Sequence, residues 1–193
     1  NQFYNKKEFI PGQTTIPPSG KLIGSEEMCG IVESALDGWL TAGKFNRAFE
    51  RKMSKFLDVK HVLTVNSGSS ANLIAFNAIT SKRLGDRAVK PGDEIISVAA
   101  GFPTTVNPII QFGAIPVFVD VSLDNYNIDC NKVYDAITPK TKAIMLAHTL
   151  GNPFNVELIK KICDERNLWL IEDTCDALGS TFKGQKVGTF GDI

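Results

Sequence analysis

Short apolar runs alternate along most of this chain with longer stretches whose apolar residues recur at helical spacing. Met28, Ile31, Val32, Ala35, Leu36 and Trp39 fall on one helical face, with Ser25 as the expected N-cap and an expected end near Gly43. A second helix over residues 46–57 would present Phe49, Met53, Phe56 and Leu57. Thereafter β-rich runs at 61–65, 94–99, 115–121, 142–147 and 168–171 are separated by helical segments at 67–79, 104–112, 131–137 and 155–167. Five strands with helical crossovers predict an α/β fold, a mostly parallel sheet flanked by helices. Before Ser25, Pro11, Pro17, Pro18 and two glycines between residues 9 and 21 disfavour regular structure. Residues 1–24 are therefore expected to form an extended arm and residues 25–193 a domain.

Charge adds exclusions. The 21 lysines and arginines balance 21 aspartates and glutamates, with no basic patch. Nucleic acid and an electrostatically bound membrane surface are thus disfavoured as partners. No apolar run approaches a bilayer span and residues 1–12 carry no signal-peptide pattern, so cytoplasm is the default expectation. The four cysteines, Cys29, Cys130, Cys163 and Cys175, include no C-x-x-C pair. Cys163 shares helical spacing with Ile159 and Ile162 and reads as core; Cys29 and Cys130 read as free structural thiols. Cys175 differs by position.

The chemistry gathers where strands are expected to end. Leu168 to Ile171 is followed at once by Glu172, Asp173, Thr174, Cys175 and Asp176, which is either an acidic surface turn or a ligand-facing strand end. Ser67, Gly68, Ser69 and Ser70 lie between a β-rich run and a helix. They suit either a serine-capped turn or a phosphate cradle of helix N–H groups, with glycine admitting the ligand. Neither G-x-G-x-x-G nor a lysine-bearing P-loop is present, which disfavours a dinucleotide dehydrogenase and an NTPase. Phe102, in the Ala99 to Thr105 run, either stacks on a flat ring or belongs to the core. His148 either meets a ligand or is a hydrogen-bonded structural histidine. Phosphate cradle, aromatic face and carboxylate together fit a pyridoxal-type cofactor, with phosphate on Gly68 and Ser69, ring on Phe102 and pyridine nitrogen on Asp173. No lysine has a persuasive Schiff-base context: Lys183 and Lys186 flank a glycine in an expected surface hairpin.

The runs Ser67 to Ala71, Gly101 to Thr105, Ala147 to Gly151, Glu172-Asp173 and Gly188 to Ile193 resemble, in order, those of the DegT-type nucleotide-sugar aminotransferase family. That family has the aspartate-aminotransferase fold, a type I pyridoxal-phosphate large domain. The resemblance implies the same roles for Gly68, Ser69, Phe102 and Asp173. Typical members carry alanine and then glutamine or histidine where this chain has Cys175 and Asp176; Asp176 would approach the cofactor's ring hydroxyl. The Cys175-Asp176 departure and the Ala99 to Pro108 run are similar to the CDP-4-keto-6-deoxyglucose 3-dehydrases, also described as lipopolysaccharide-biosynthesis dehydratases.

Several expectations follow from the resemblance. The reaction would be pyridoxamine-phosphate-dependent C3 dehydration of a CDP-linked 4-keto-6-deoxyhexose, with a pyridoxal-phosphate aminotransferase as the alternative and a noncatalytic binding fragment as the rival of another class. Cys175 would be one of four ligands to a 2Fe-2S cluster, the other three lying beyond Ile193. The catalytic histidine or lysine would also lie beyond Ile193, so the chain is expected to be the front part of a longer protein and inactive alone. A homodimer and an NADH-dependent flavin and iron-sulfur reductase are the implied partners.

Overall fold

The computed structural model describes residues 8–16 and 23–193. Pro17 and Pro18 of the expected arm lie outside these. The chain divides into two compact units, residues 1–49 and 50–193.

In the first unit, residues 10–14 form a turn rather than an extended run, the N–H groups of Gln13 and Thr14 both donating to the Ile10 carbonyl. Helix α1 spans Ser25–Leu36. Its cap is Gly24, not Ser25, and the Gly24 N–H donates to a Glu27 carboxylate oxygen at 2.6 Å. The helix stops before Gly43 because Gly38 takes the left-handed conformation, φ 64°, that favours glycine. Helix α2, Lys44–Leu57, crosses the border between the units.

The second unit contains a parallel sheet of four strands in the order β2-β1-β3-β4, with β1 Glu94–Val98, β2 Ile115–Val119, β3 Thr141–Ala147 and β4 Trp169–Asp173. The fifth expected strand is absent: residues 61–65 are irregular. Both the N–H and the hydroxyl of Thr64 donate to a Glu50 carboxylate oxygen at 3.0 Å, so this run is tied to α2 instead of to a sheet neighbour. A separate hairpin pairs β5, Thr181–Phe182, with β6, Gln185–Lys186, around the expected Lys183-Gly184 turn, both residues at positive φ.

Side-chain alternation along the central strands builds two cores. Ile96, Ile144, Leu146 and Leu170 face α5, Val133–Ala136, and α6, Val156–Arg166, whose Ile159, Ile162 and Cys163 are buried. Ile95, Ala143, Met145 and Ile171 face α3, Gly68–Ile79, and α4, Pro103–Phe112, through Phe76, Ile79 and Ile109. From β1 the chain moves through α4 to β2 on one side, then through α5 to β3 on the other. Strand order therefore reverses at the β1/β3 border, and the crevice outside the carboxyl ends of such strands is where open α/β sheets bind ligands.

Candidate functional site

Helix α3 begins beside that crevice. Ser67 caps it, its hydroxyl accepting from the Ser70 N–H at 3.2 Å and its carbonyl from the Ala71 N–H. The N–H groups of Gly68 and Ser69 are left without partners among the described residues, as the first turn of a helix leaves them. Both residues are exposed. A Cβ on Gly68 would lie 3.8 Å from Cys175 Sγ and touch nothing nearer, so the glycine keeps an open approach to the helix end and the thiol borders it.

Helix α4 begins at the end of β1. Phe102 is its N-cap and is 71% exposed, which places it outside the core. A groove of about 160 Å³ lies between α3 and α4, lined at their first turns by Ser69, Ser70 and Thr104.

Asp173, the last residue of β4 and buried, joins these elements. Its Oδ2 accepts from Asn72 Nδ2 and from Thr105 Oγ1, each at 2.8 Å. Its Oδ1 accepts the Cys175 N–H at 3.1 Å. Asn72 lies one turn after Gly68, and Thr105 three residues after Phe102, so the carboxylate ties the two helix starts to the strand end. The hydroxyl and amide were not singled out in the sequence, although Asn72 shares the helical spacing of the apolar Phe76 and Ile79. Asp176 is exposed and its side chain has no hydrogen bond or ion pair among the described residues.

Glu172 has a different task. Its Oε2 is 3.0 Å from His148 Nε2 and accepts the Gly188 N–H at 2.9 Å, while Oε1 accepts the N–H groups of Phe190 and Gly191 at 2.8 and 2.5 Å. Burial alone would raise this carboxyl, but the His148 contact and the three amides outweigh it and hold it below its ordinary value. His148 is fully buried and stacked on Phe154, with ring centroids 4.3 Å apart. It lies on the α6 side of the sheet, its buried Nδ1 without a hydrogen-bond partner among the described residues.

Cys175 is exposed, and partial burial together with the charges of Asp173 and Asp176 pushes its thiol up. Among the described residues no three His, Cys, Asp or Glu side chains are grouped to hold a metal. Cys29 is an exposed thiol, whereas Cys163 is core, its thiol pushed up to about 12 by burial. A larger hollow of about 520 Å³ sits between α6 and the hairpin. Its lysines are spent on ion pairs, Lys160 with Asp164, Lys161 with Glu165 and Lys183 with Glu157. No helix of the described residues is long and apolar enough to cross a membrane.

Residues 21–193 match the model of the DegT/DnrJ/EryC1/StrS aminotransferase family. The chain is 61% identical over 193 residues to the lipopolysaccharide biosynthesis protein RfbH of Salmonella typhimurium, covering all of this chain and 44% of that protein. It is 48% identical over 185 residues to the dTDP-4-dehydro-2,6-dideoxy-D-glucose 3-dehydratase of Saccharopolyspora spinosa, covering 96% of this chain and 40% of that enzyme. A solved structure of Escherichia coli GDP-4-keto-6-deoxy-D-mannose-3-dehydratase with bound hydrated PLP superposes with a TM-score of 0.85 at 36% identity, over 92% of this chain and 45% of the other. The chain thus spans less than half the length of these relatives.

Proposed function

Because the chain belongs to the DegT/DnrJ/EryC1/StrS aminotransferase family, we propose that the whole protein is a pyridoxamine-phosphate-dependent dehydratase that removes the C3 hydroxyl of a CDP-linked 4-keto-6-deoxyhexose in lipopolysaccharide sugar biosynthesis. The observation that carries this reading is Asp173, a buried carboxylate that joins two helix starts at the carboxyl edge of the sheet. The 3-dehydratase name of the Saccharopolyspora relative supports the reaction, and that of the Salmonella relative supports the pathway. CDP as carrier rests on the resemblance of the Cys175-Asp176 run.

The donor set fits a pyridoxal-type cofactor: unpaired N–H groups for a phosphate, an exposed aromatic and a buried carboxylate. When bound, that cofactor supplies a nucleophilic amine and a ring that accepts electron density. Gly68 and Ser69 would bind its phosphate at the α3 N-terminus, Phe102 would cover the ring, Asp173 would hold the proton on the pyridine nitrogen and Asp176 would meet the ring hydroxyl. The base that moves the proton in this reaction is proposed to lie outside these 193 residues. In support, His148 is sealed on the other face, and Lys183 and Lys186 sit on the hairpin.

Cys175 is one exposed thiol and would be one of the four ligands that a 2Fe-2S cluster takes, so the described residues do not by themselves hold one, and no step is routed through a cluster or a flavin and iron-sulfur reductase. We also propose a homodimer, as the family resemblance implies, supported by α1, which leaves Ile31, Val32 and Leu36 exposed. A cytoplasmic location is proposed from the four free cysteines.

The test is to supply the whole protein with pyridoxamine phosphate, a reductant and a CDP-4-keto-6-deoxyhexose. A 3-deoxy sugar is expected. An amino sugar formed with an amino donor would instead make the protein an aminotransferase, the activity in the family's description.

A further inference from the structure

Asp173 is held in an unequal way. Its Oδ2 receives two donors, the Asn72 amide from α3 and the Thr105 hydroxyl from α4, both at 2.8 Å. Its Oδ1 receives only the Cys175 N–H, at 3.1 Å. A carboxylate oxygen has about two lone-pair directions. Oδ2 is therefore saturated by protein, while Oδ1 keeps one acceptor direction for something else.

Asn72 is fixed by more than this contact. Pro108 lies inside α4 and has no N–H to give the carbonyl four residues back, which is Thr104. The Asn72 amide donates to that carbonyl at 3.3 Å. One NH₂ group thus closes a gap in the α4 ladder and restrains Asp173. Asn72 and Thr105 are 8% and 2% exposed, so water does not substitute readily for either donor.

We propose that Asn72 and Thr105 are positioning residues that turn Asp173 so that Oδ1 is the oxygen presented to the protonated nitrogen of a pyridine ring. This rests on the cofactor reading above. A carboxylate free to rotate would share its two oxygens between the ring and the helices, and the ring proton would be held less firmly.

The test uses Asn72→Leu and Thr105→Val, near-isosteric changes that each remove one donor, with Asn77→Leu as a control whose amide only returns to the Leu73 carbonyl of its own helix. Each variant of the whole protein is titrated with pyridoxamine phosphate, and the absorption of the bound ring is followed against pH. Both positioning variants should bind about tenfold more weakly. The pH at which the bound ring loses its nitrogen proton should fall, because that proton loses part of its partner. The control should match the parent. Weaker binding with an unmoved ring titration would mean a structural role only and would overturn the proposal, as would unchanged behaviour in both variants. Should Asn72→Leu fail to fold, Thr105→Val decides by the same criteria. A parent that binds no pyridoxamine phosphate would remove the cofactor reading itself, and this proposal with it.

Discussion

Glu172 and Asp173 are neighbours in β4, yet their carboxylates serve opposite faces of the sheet. Glu172 turns to His148 and the amides of Gly188, Phe190 and Gly191, and Asp173 to Asn72 and Thr105. The strand's period of two separates them. One acid holds the closing turn of the chain and the other faces the crevice.

Glu172 should therefore govern stability. Its folded pKa is depressed, so the stability it contributes is complete above its ordinary value of 4.5 and is lost as pH falls through the lower folded value. Glu172→Gln should cost about 3 kcal/mol near neutral pH, since it breaks a buried, multiply bonded charge. Urea midpoints measured from neutral pH down to acid should fall more steeply for the parent than for the variant.

Gly191 should not accept a side chain. A Cβ there would lie 2.7 Å from the Leu170 carbonyl oxygen and 3.3 Å from Glu172 Oε1. Gly191→Ala is expected to destabilise by about 1–3 kcal/mol through forced displacement of the turn from β4. A denaturation midpoint equal to that of the parent would show that the turn is not packed as described.

Phe102 separates binding from folding. Because its ring is 71% exposed, Phe102→Ala should change stability by no more than about 0.5 kcal/mol. Loss of a stacked ring should nevertheless weaken pyridoxamine phosphate by about 0.5–1.5 kcal/mol, read by titration beside a urea curve. Strong destabilisation with unchanged binding would return this residue to the core.

Most of the layer structure was legible because its signals are local. Val156 to Arg166 carries its apolar period and an Asn155 cap, and the central strands are apolar runs bounded by turns. What was missed depends on residues distant in sequence. Residues 61–65 have strand composition, but composition does not supply a neighbour, and Thr64 bonds to Glu50 instead. Strand β4 extends through Asp173 because its last backbone groups are paired, the Asp173 carbonyl accepting the His148 N–H and the Glu172 N–H reaching the Ile193 carbonyl. Glu172 looked like one of three acids at a strand end until residues 188–191 folded back onto it. Asn72 carried a faint mark, an amide at the helical spacing of the buried Phe76 and Ile79. Its reason lies 36 residues away, in a proline that leaves the Thr104 carbonyl short of a donor.

Asp173→Asn in the whole protein should lower turnover about 100-fold or more, because a neutral amide does not stabilise charge on the ring as a carboxylate does. Substrate KM should change much less.

The most direct measurement is a titration of the whole protein with pyridoxamine phosphate, followed by the ring's absorption, in the parent and in Asp173→Asn. Saturable binding by the parent is expected, with affinity lower by about tenfold or more in the variant and its bound ring losing the nitrogen proton at lower pH. Equal affinity and an equal ring titration in the two proteins would contradict the assignment of this crevice to the cofactor.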